Sequence, residues 1–284
     1  MTTFERRQRL VHFLEERSGI KVTELAERLN VSQGTIRNDL RALEQAGQIA
    51  RVRGGAVVRN DHQFATPSFA ARVQVHAESK ARIASRAVEM IEDGDSIILD
   101  ASTTVFALIP YLQRLHNLTI VTNGIEAGLA LAKNTSHTVI LVGGVLRSDG
   151  TSVVGHLGVK TLDDLHIKTA FVSCSGFTLQ AGLTEIDIQE VLLKRKMIGC
   201  AERVIALIDS HKFGRVDLTS FAGLEQISHI FTDSDVDPEF VEQLRPSCTT
   251  LTVCGDGTVT SFDPCGQGAT LLAPEPSGTA EEAK

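Results

Sequence analysis

Apolar positions in the first sixty residues recur at helical spacing, then at strand spacing. Leu10, Phe13 and Leu14 share one face of a predicted helix over residues 5–17, which Ser18-Gly19 closes. Thr23 is placed to cap a short second helix, 24–29, with Leu25, Ala26 and Leu29 facing inward. A tight turn at Asn30-Val31 leads to Ser32, the expected cap of a third helix running to Gln45. Ile36, Leu40 and Leu43 form its inner stripe, and its other face carries Gln33, Thr35, Arg37, Asn38 and Arg41. After Gly47, residues 49–58 read as a β-hairpin turning at Gly54-Gly55. Residues 60–77 lose periodicity around Thr66-Pro67-Ser68 and are expected to be a linker.

From residue 78 the pattern alternates short apolar strands with helices. Helix 80–91 precedes strand 96–99, and helix 105–115 precedes strand 118–121. A helix reaching Lys133 leads to strand 138–142, with further strands at 170–173, 204–208 and 227–232. Such alternation predicts an α/β domain over 78–254 around a mostly parallel, right-handed wound sheet. The fold class is therefore α/β, with a small helix-turn-helix and wing in front. Residues 255–284 are rich in Gly, Pro, Ser and Thr and are expected to be a disordered tail.

Two short helices joined by a tight turn, the second polar and basic outside, are the ingredients of a helix-turn-helix. A helix fits the major groove, where Arg, Gln, Asn and Ser side chains pair with base edges. The alternative is a three-helix bundle with an ordinary solvated face. A hairpin bearing Arg51, Arg53 and Arg59 favours DNA, because a basic wing beside such a helix meets phosphates. Charge sharpens this picture. The formal net charge of the 284 residues is -7, yet residues 1–59 hold 11 Lys+Arg against 7 Asp+Glu, a net of +4. The remainder holds 17 against 28, a net of -11, so only the head suits a polyanion. Ser32, Gln33, Thr35, Arg37, Asn38, Arg41, Arg51 and Arg53 are the residues expected to touch double-stranded DNA.

Composition narrows the class further. Hydrophobic residues make up 42% and charged residues 22%, enough apolar material for a sizeable core. The longest apolar runs are far shorter than the roughly 20 residues of a membrane span. The first residues lack a signal-like apolar stretch, so a cytoplasmic protein is expected. Five cysteines (174, 200, 248, 254 and 265) contain no C-x-x-C pair, and nine histidines show no metal-ligand spacing. No metal or cofactor is expected.

Polar clusters fall just past the predicted strands, where open α/β sheets bind ligands. Asp100-Ala101-Ser102-Thr103-Thr104 places small hydroxyl residues at a strand-to-helix turn, an arrangement suited to phosphate. Taken singly, each feature also has a plainer reading. Ser102 or Thr103 is equally suited to cap a helix, and Asp100 to end a strand in solvent. Gly143-Gly144 is more often a turn than a ligand cradle, and Lys212 more often a surface lysine. Cys174 reads as a buried strand residue.

Val22-Thr23-Glu24-Leu25-Ala26, Thr35-Ile36-Arg37-Asn38-Asp39-Leu40 and Arg51-Val52-Arg53-Gly54-Gly55-Ala56 closely resemble the winged helix-turn-helix of the DeoR family of bacterial transcriptional regulators. Asn38 stands where a second Arg is usual, and Arg53 where His is usual. In the body, Glu78-Ser79-Lys80, Asp100-x-Ser-Thr-Thr104, Thr122-Asn123, Gly143-Gly144, Gly182-Leu183-Thr184, Asp187, Lys194-Arg195 and Asp209-x-x-Lys212-Phe213-Gly214 match the same family's effector domain in order and spacing. Here Ser102 replaces a usual Gly, and His211 a common Ser. The resemblance covers residues 4–235 and implies a fold like ribose-5-phosphate isomerase.

It also implies a function. The chain would repress a sugar or polyol catabolic operon as a homo-oligomer, and a phosphorylated sugar would release or modulate it. The turn Ser102, Thr103 and Thr104 would hold the phosphate, and Lys212 would add positive charge. Asp100 and Asn123 would bind hydroxyls, with Gly143, Gly144 and Gly176 in the same site. The alternative class is a sugar-phosphate isomerase with an accessory DNA-binding head. Isomerisation needs a carboxylate base over the reacting carbon, and Asp100, Glu185 and Asp187 are the candidates.

Overall fold

The computed structural model describes residues 3–16, 20–45, 49–52, 55–58, 68–255, 259–262 and 270–272. The chain divides into two compact units, Met1–Val75 and His76–Lys284.

The first unit holds α1 (Thr3–Glu16), α2 (Val22–Leu29) and α3 (Gln33–Gln45), then the hairpin of β1 (Ile49–Val52) and β2 (Gly55–Val58). Leu10 and Leu14 of α1, Leu25 and Leu29 of α2, and Ile36, Leu40 and Leu43 of α3 bury together with Ile49. The expected cap of α2 is corrected. The helix starts earlier, with Leu25 N bonded to Lys21 O at 3.1 Å, so Thr23 lies inside its first turn. Asn30 ends α2 in the left-handed region at φ 52°, a conformation Asn tolerates better than most residues. Ser32 caps α3 as expected, its Oγ accepting from Thr35 N at 3.1 Å. Asp39 ties α3 to α1, accepting from Arg6 Nε at 2.6 Å and Arg7 Nε at 3.0 Å.

Ser18, Gly19, Gly47, Arg53, Gly54, Arg59 and residues 60–67 of the expected linker lie outside the described residues. The rest of that linker is helical instead. Ser68 Oγ caps α4 (Phe69–Gln74), and α5 (Ala77–Ala87) begins three residues later.

The second unit continues through β3 (Ser96–Leu99), α6 (Thr103–Phe106), α7 (Ile109–Leu112), β4 (Thr119–Thr122) and α8 (Ile125–Asn134). Then come β5 (Thr138–Leu141), β6 (Val145–Leu146), β7 (Val153–Val154), α9 (His156–Thr161) and β8 (Ile167–Val172). They are followed by β9 (Gly176–Thr178), β10 (Gly182–Glu185), α10 (Ile188–Gly199), β11 (Ala201–Leu207), β12 (Thr219–Ala222) and β13 (His229–Asp233). The last are α11 (Pro238–Leu244), β14 (Thr250–Cys254), β15 (Val259–Phe262) and β16 (Thr270–Leu272).

The main sheet runs β16-β15-β14-β13-β11-β8-β3-β4-β5. All neighbouring pairs from β14 to β5 are parallel, as the alternation predicted; β15 and β16 add antiparallel. Successive residues of each strand face opposite sides, so the sheet carries two cores. Ile97, Leu99, Phe171, Ile205 and Leu207 pack with Ile83, Ala84 and Ala87 of α5. Ile98, Ala170, Val172, Val204 and Ala206 pack with Val191, Leu193, Met197 and Ile198 of α10.

Three expectations change here. The helix expected over 105–115 is broken into α6 and α7, because Pro110 has no N–H to give Phe106 O four residues back. A small sheet in the order β12-β10-β9 was not foreseen, its strands being short and rich in Gly and Thr. Finally, residues 259–262 and 270–272 of the expected tail extend the sheet, pairing Leu251 with Phe262 and Val259 with Leu272. The open backbone edge of β14 recruits them where the side-chain pattern is weak.

Candidate functional site

Chain order places the site. From β3 the sheet grows one way through β4 to β5, and the other way through β8 to β11. The crevice past the carboxyl ends of β3 and β8 is therefore a topological switch point, where open α/β sheets bind ligands. Asp100 to Thr104 leave β3 there, Ser173 leaves β8, and Asp209 to Lys212 leave β11.

Three lysines meet the hydroxyl turn. Lys80 Nζ, carried by α5, donates to Thr103 Oγ1 at 3.0 Å. Lys212 Nζ donates to Thr104 Oγ1 at 3.0 Å and Ser173 Oγ at 2.9 Å, and pairs with Asp209 at 3.1 Å. Lys194 Nζ, carried by α10, reaches Glu185 at 2.6 Å, Ser173 O at 2.8 Å and Asp100 at 3.1 Å. Lys194 is 1% exposed, deep beneath the turn, whereas the Lys212 side chain is 18% exposed and closer to solvent. Burial alone would lower the Lys194 pKa; Asp100 and Glu185 reverse that and hold the ammonium well above its ordinary value. Burial likewise works against the Asp209 carboxylate, and Lys212 holds it below the usual range.

The residues of the turn have different partners. Ser102 is the helix cap, its Oγ accepting from Val105 N at 3.1 Å. The Thr103 and Thr104 hydroxyls instead face lysines, and their amides occupy first-turn positions with no helical acceptor. Lys212 is no free surface lysine. Its loop is fixed by Ser210 N on Asp233 at 2.8 Å and by Phe213, whose ring packs 4.9 Å from Phe240 and 5.5 Å from Phe177.

Asp100 departs from its expected role. One carboxylate oxygen accepts from Ser102 N at 3.0 Å; the other accepts from Ser173 N at 2.9 Å and pairs with Lys194. At 1% exposure both its oxygens are taken up by groups of the protein itself. Asn123, just past β4, donates through Nδ2 to Val153 O at 3.1 Å, while its buried Oδ1 has no hydrogen-bond partner among the described residues.

The glycines have packing reasons. Gly144, at φ 152° beyond edge strand β5, has no room for a Cβ, which would lie 2.7 Å from Val153 Cγ1. Gly143 beside it is exposed. Gly176 opens β9 against the Arg215 carbonyl, 2.6 Å from where a Cβ would sit. Cys174 is buried as expected but lies two residues past β8 rather than in a strand, and burial pushes its thiol up to about 12. Among the described residues no His, Cys, Asp and Glu cluster suits a metal ion.

In the first unit, Ser32, Gln33, Arg37, Asn38 and Arg41 are exposed and Thr35 is half-buried, so α3 presents a polar ridge opposite its core stripe. Gln33, Arg37 and Arg41 follow one another at four-residue spacing along that ridge. Ser32 Oγ lies 2.9 Å from Thr35 Oγ1, fixing the start of the ridge. Arg51 sits on β1 opposite Ala56, and Arg53 lies outside the described residues.

Lys80, Lys194 and Asp209 stood in the matched effector-domain motifs and Glu185 among the candidate bases of the alternative, but none of them, nor Ser173, was given an effector-binding role. Two of them carried a signal. Lys80 stands on the apolar stripe of Ile83, Ala84 and Ala87, and Lys194 on that of Val191, Met197 and Ile198. A lysine is rarely buried unless paired, so a cation on a core-facing stripe marks a buried anion.

Comparison with known proteins gives independent findings. Residues 6–62 match the DeoR-like helix-turn-helix domain, and residues 75–234 the DeoR C terminal sensor domain. The chain is 36% identical to the HTH-type transcriptional regulator GolR of Listeria innocua, over 86% of this chain and 96% of that one. It is 34% identical to the lactose phosphotransferase system repressor of Streptococcus mutans, over 82% and 93%. Among solved structures, ribose 5-phosphate isomerase A of Methanocaldococcus jannaschii aligns at 16% identity and a TM-score of 0.36, over 48% of this chain and 54% of that one. That likeness is too distant to carry an argument.

Proposed function

The chain belongs to the DeoR family of DNA-binding transcriptional regulators, and from that premise we propose that it represses a sugar or polyol catabolic operon and releases its operator when a phosphorylated sugar enters the cradle around Thr103 and Thr104. The relatives are named as regulators, which sets aside the isomerase alternative. Three are named as repressors, one of them of a lactose phosphotransferase system, and this supports the direction of control.

One observation carries the effector reading: Lys80 and Lys212 each donate to a threonine hydroxyl of one turn, at 3.0 Å, at the switch point of the sheet. A phosphate brings about -1.5 to -2 charges and three acceptor oxygens. It would take up the ammonium and hydroxyl donors that now satisfy one another, together with the first-turn amides. Asn123 Oδ1 is the acceptor offered to a sugar hydroxyl. In this reading Asp100, Lys194 and Glu185 hold the shape of the cradle from below.

The DNA partner is met by the α3 ridge, with Arg51 and Arg53 on the wing against phosphates. One recognition helix spans only a half-site, so paired copies are required. The body supplies their contact: Leu157, Ile186, Ile188 and Leu218 are 50–70% exposed, an unusual exposure for large apolar side chains. Ile186 comes directly after Glu185 and Leu218 directly before Thr219, the last register pair of β10 and β12. Among the described residues no helix is long and apolar enough to cross a membrane. Acting on operator DNA, the protein would work in the cytoplasm.

A thermal-shift screen of phosphorylated sugars tests the effector assignment. A true effector at about 100 times its Kd adds roughly 2.7 kcal/mol to native stability. The parent is expected to respond to at least one sugar phosphate and Thr104→Val/Lys212→Ala to none. An equal response in both would refute the site.

A further inference from the structure

His76 and His211 stack, their ring centroids 3.6 Å apart and their planes inclined by 22°. Neither residue belongs to the cradle, yet each adjoins one of its lysines. His211 immediately precedes Lys212 on the loop from β11. His76 stands one turn before Lys80, and Lys80 N bonds to His76 O at 3.1 Å, the first helical bond of α5. The contacts therefore close a circuit: Thr103 to Lys80, back along α5 to His76, across the stack to His211, on to Lys212 and back to Thr104. His76 is also the first residue of the second unit, where the chain arrives from the DNA-binding one.

Two details show that this contact is held rather than incidental. His76 adopts the left-handed region at φ 53° and ψ 38°, which costs a non-glycine residue free energy unless its surroundings repay it. The His211 side chain is half exposed, so burial alone does not fix it; among the described residues a 3.5 Å contact to Ser210 Oγ and the Asp209 carboxylate, 3.9 Å from Nδ1, join the stack in holding the ring.

We propose that the His76–His211 stack transmits occupancy of the cradle to the segment leading to the DNA-binding unit. It does so as a positioning pair that does not touch the ligand. A phosphate that draws Lys80 and Lys212 toward itself moves both ends of the stack. The left-handed residue at the start of α5 then either keeps or loses its strained conformation. Coupling of this kind needs a contact with two discrete arrangements, and a stacked pair bridging two elements supplies one.

The inference rests on phosphate occupying the cradle, and the experiment separates the two. Full-length protein is digested with trypsin, with and without saturating inorganic phosphate, and the rate of cleavage after Arg72 is followed by mass spectrometry. Arg72 lies four residues before His76, so its cleavage reads local opening of the connecting segment. Phosphate affinity is measured on the same samples by calorimetry. The parent and His211→Phe, which keeps a ring to stack, are expected to change cleavage rate about fivefold or more on adding phosphate. His211→Ala and His76→Ala should bind phosphate as the parent does but lose that response. If they bind phosphate and respond like the parent, or if the parent binds it without response, the stack is not the link. If the parent binds no phosphate at all, the effector site itself is wrong and the coupling falls with it.

Discussion

Lys194 shows how much of this protein rests on single buried charges. Its ammonium lies against two carboxylates, Glu185 at 2.6 Å and Asp100 at 3.1 Å, with almost no solvent access. Removing one partner of a buried ion pair typically costs about 3–5 kcal/mol, because the other charge is left uncompensated. Lys194→Met should therefore lower the urea midpoint sharply, and adding Glu185→Gln should recover part of the loss. No recovery would mean the triad is not electrostatically linked. His229 gives a pH signature. It bonds Thr252 at 2.8 Å and stacks on Phe231 at 4.1 Å, and burial lowers its pKa to about 4. The unfolded chain binds this proton from about pH 6.5 downward, whereas the folded one waits until about pH 4. The stabilisation is thus complete above pH 6.5 and is lost as pH falls toward 4, by an amount on the order of 3 kcal/mol. Thermal melts between those limits should slope less for His229→Gln than for the parent; parallel curves would contradict the assignment.

At the scale of elements, α3 and the wing should behave differently on DNA. Arg37→Ala should cost about 1–3 kcal/mol at one base pair, if the ridge reads bases as its exposure and spacing imply. Arg53→Ala should weaken every sequence alike and flatten the salt dependence by about one unit of slope. Competition anisotropy on point-substituted operators at several salt concentrations distinguishes these; two parent-like variants would displace both helix and wing. What the sequence made legible follows from the strength of local patterns. The stripe Ile36, Leu40 and Leu43, the Ser32 cap and strand Ser96–Leu99 stand where periodicity and capping chemistry put them. The small sheet of β9, β10 and β12 was illegible because its strands mix Gly, Thr and Ser with isolated apolar residues, with no apolar run like that of Ser96–Leu99. The turn at Ser102 to Thr104 was visible from its hydroxyls. Lys212 was assigned to the site through the family resemblance, but Lys80 and Lys194 were not, since the three lysines converge from separate elements and only topology brings them together. Asp100 was seen as polar and placed in the site, but its role as an anchor depends on Ser173, 73 residues further along.

For the whole molecule, the paired copies proposed above would have to meet without bringing the like charges of their acidic bodies into contact. The exposed apolar side chains of Leu157, Ile186, Ile188 and Leu218 would give two bodies an uncharged place to meet. Sedimentation of the full chain at micromolar concentration should show a dimer or larger, and Leu218→Asp should shift it toward monomer. A parent that sediments as a monomer would remove the basis for paired half-sites. Sensing and DNA binding occupy separate units, so the effector acts only through its different affinity for the DNA-competent and DNA-incompetent states. The central claim is that the cradle around Thr103 and Thr104 controls release. The direct measurement is fluorescence anisotropy of an operator duplex, titrated with sugar phosphates, on the parent and on Thr104→Val/Lys212→Ala. The account expects equal operator affinity without ligand, release of the parent by at least one sugar phosphate, and no release of the double variant at any of them. Release of the double variant at the same concentration as the parent would contradict it.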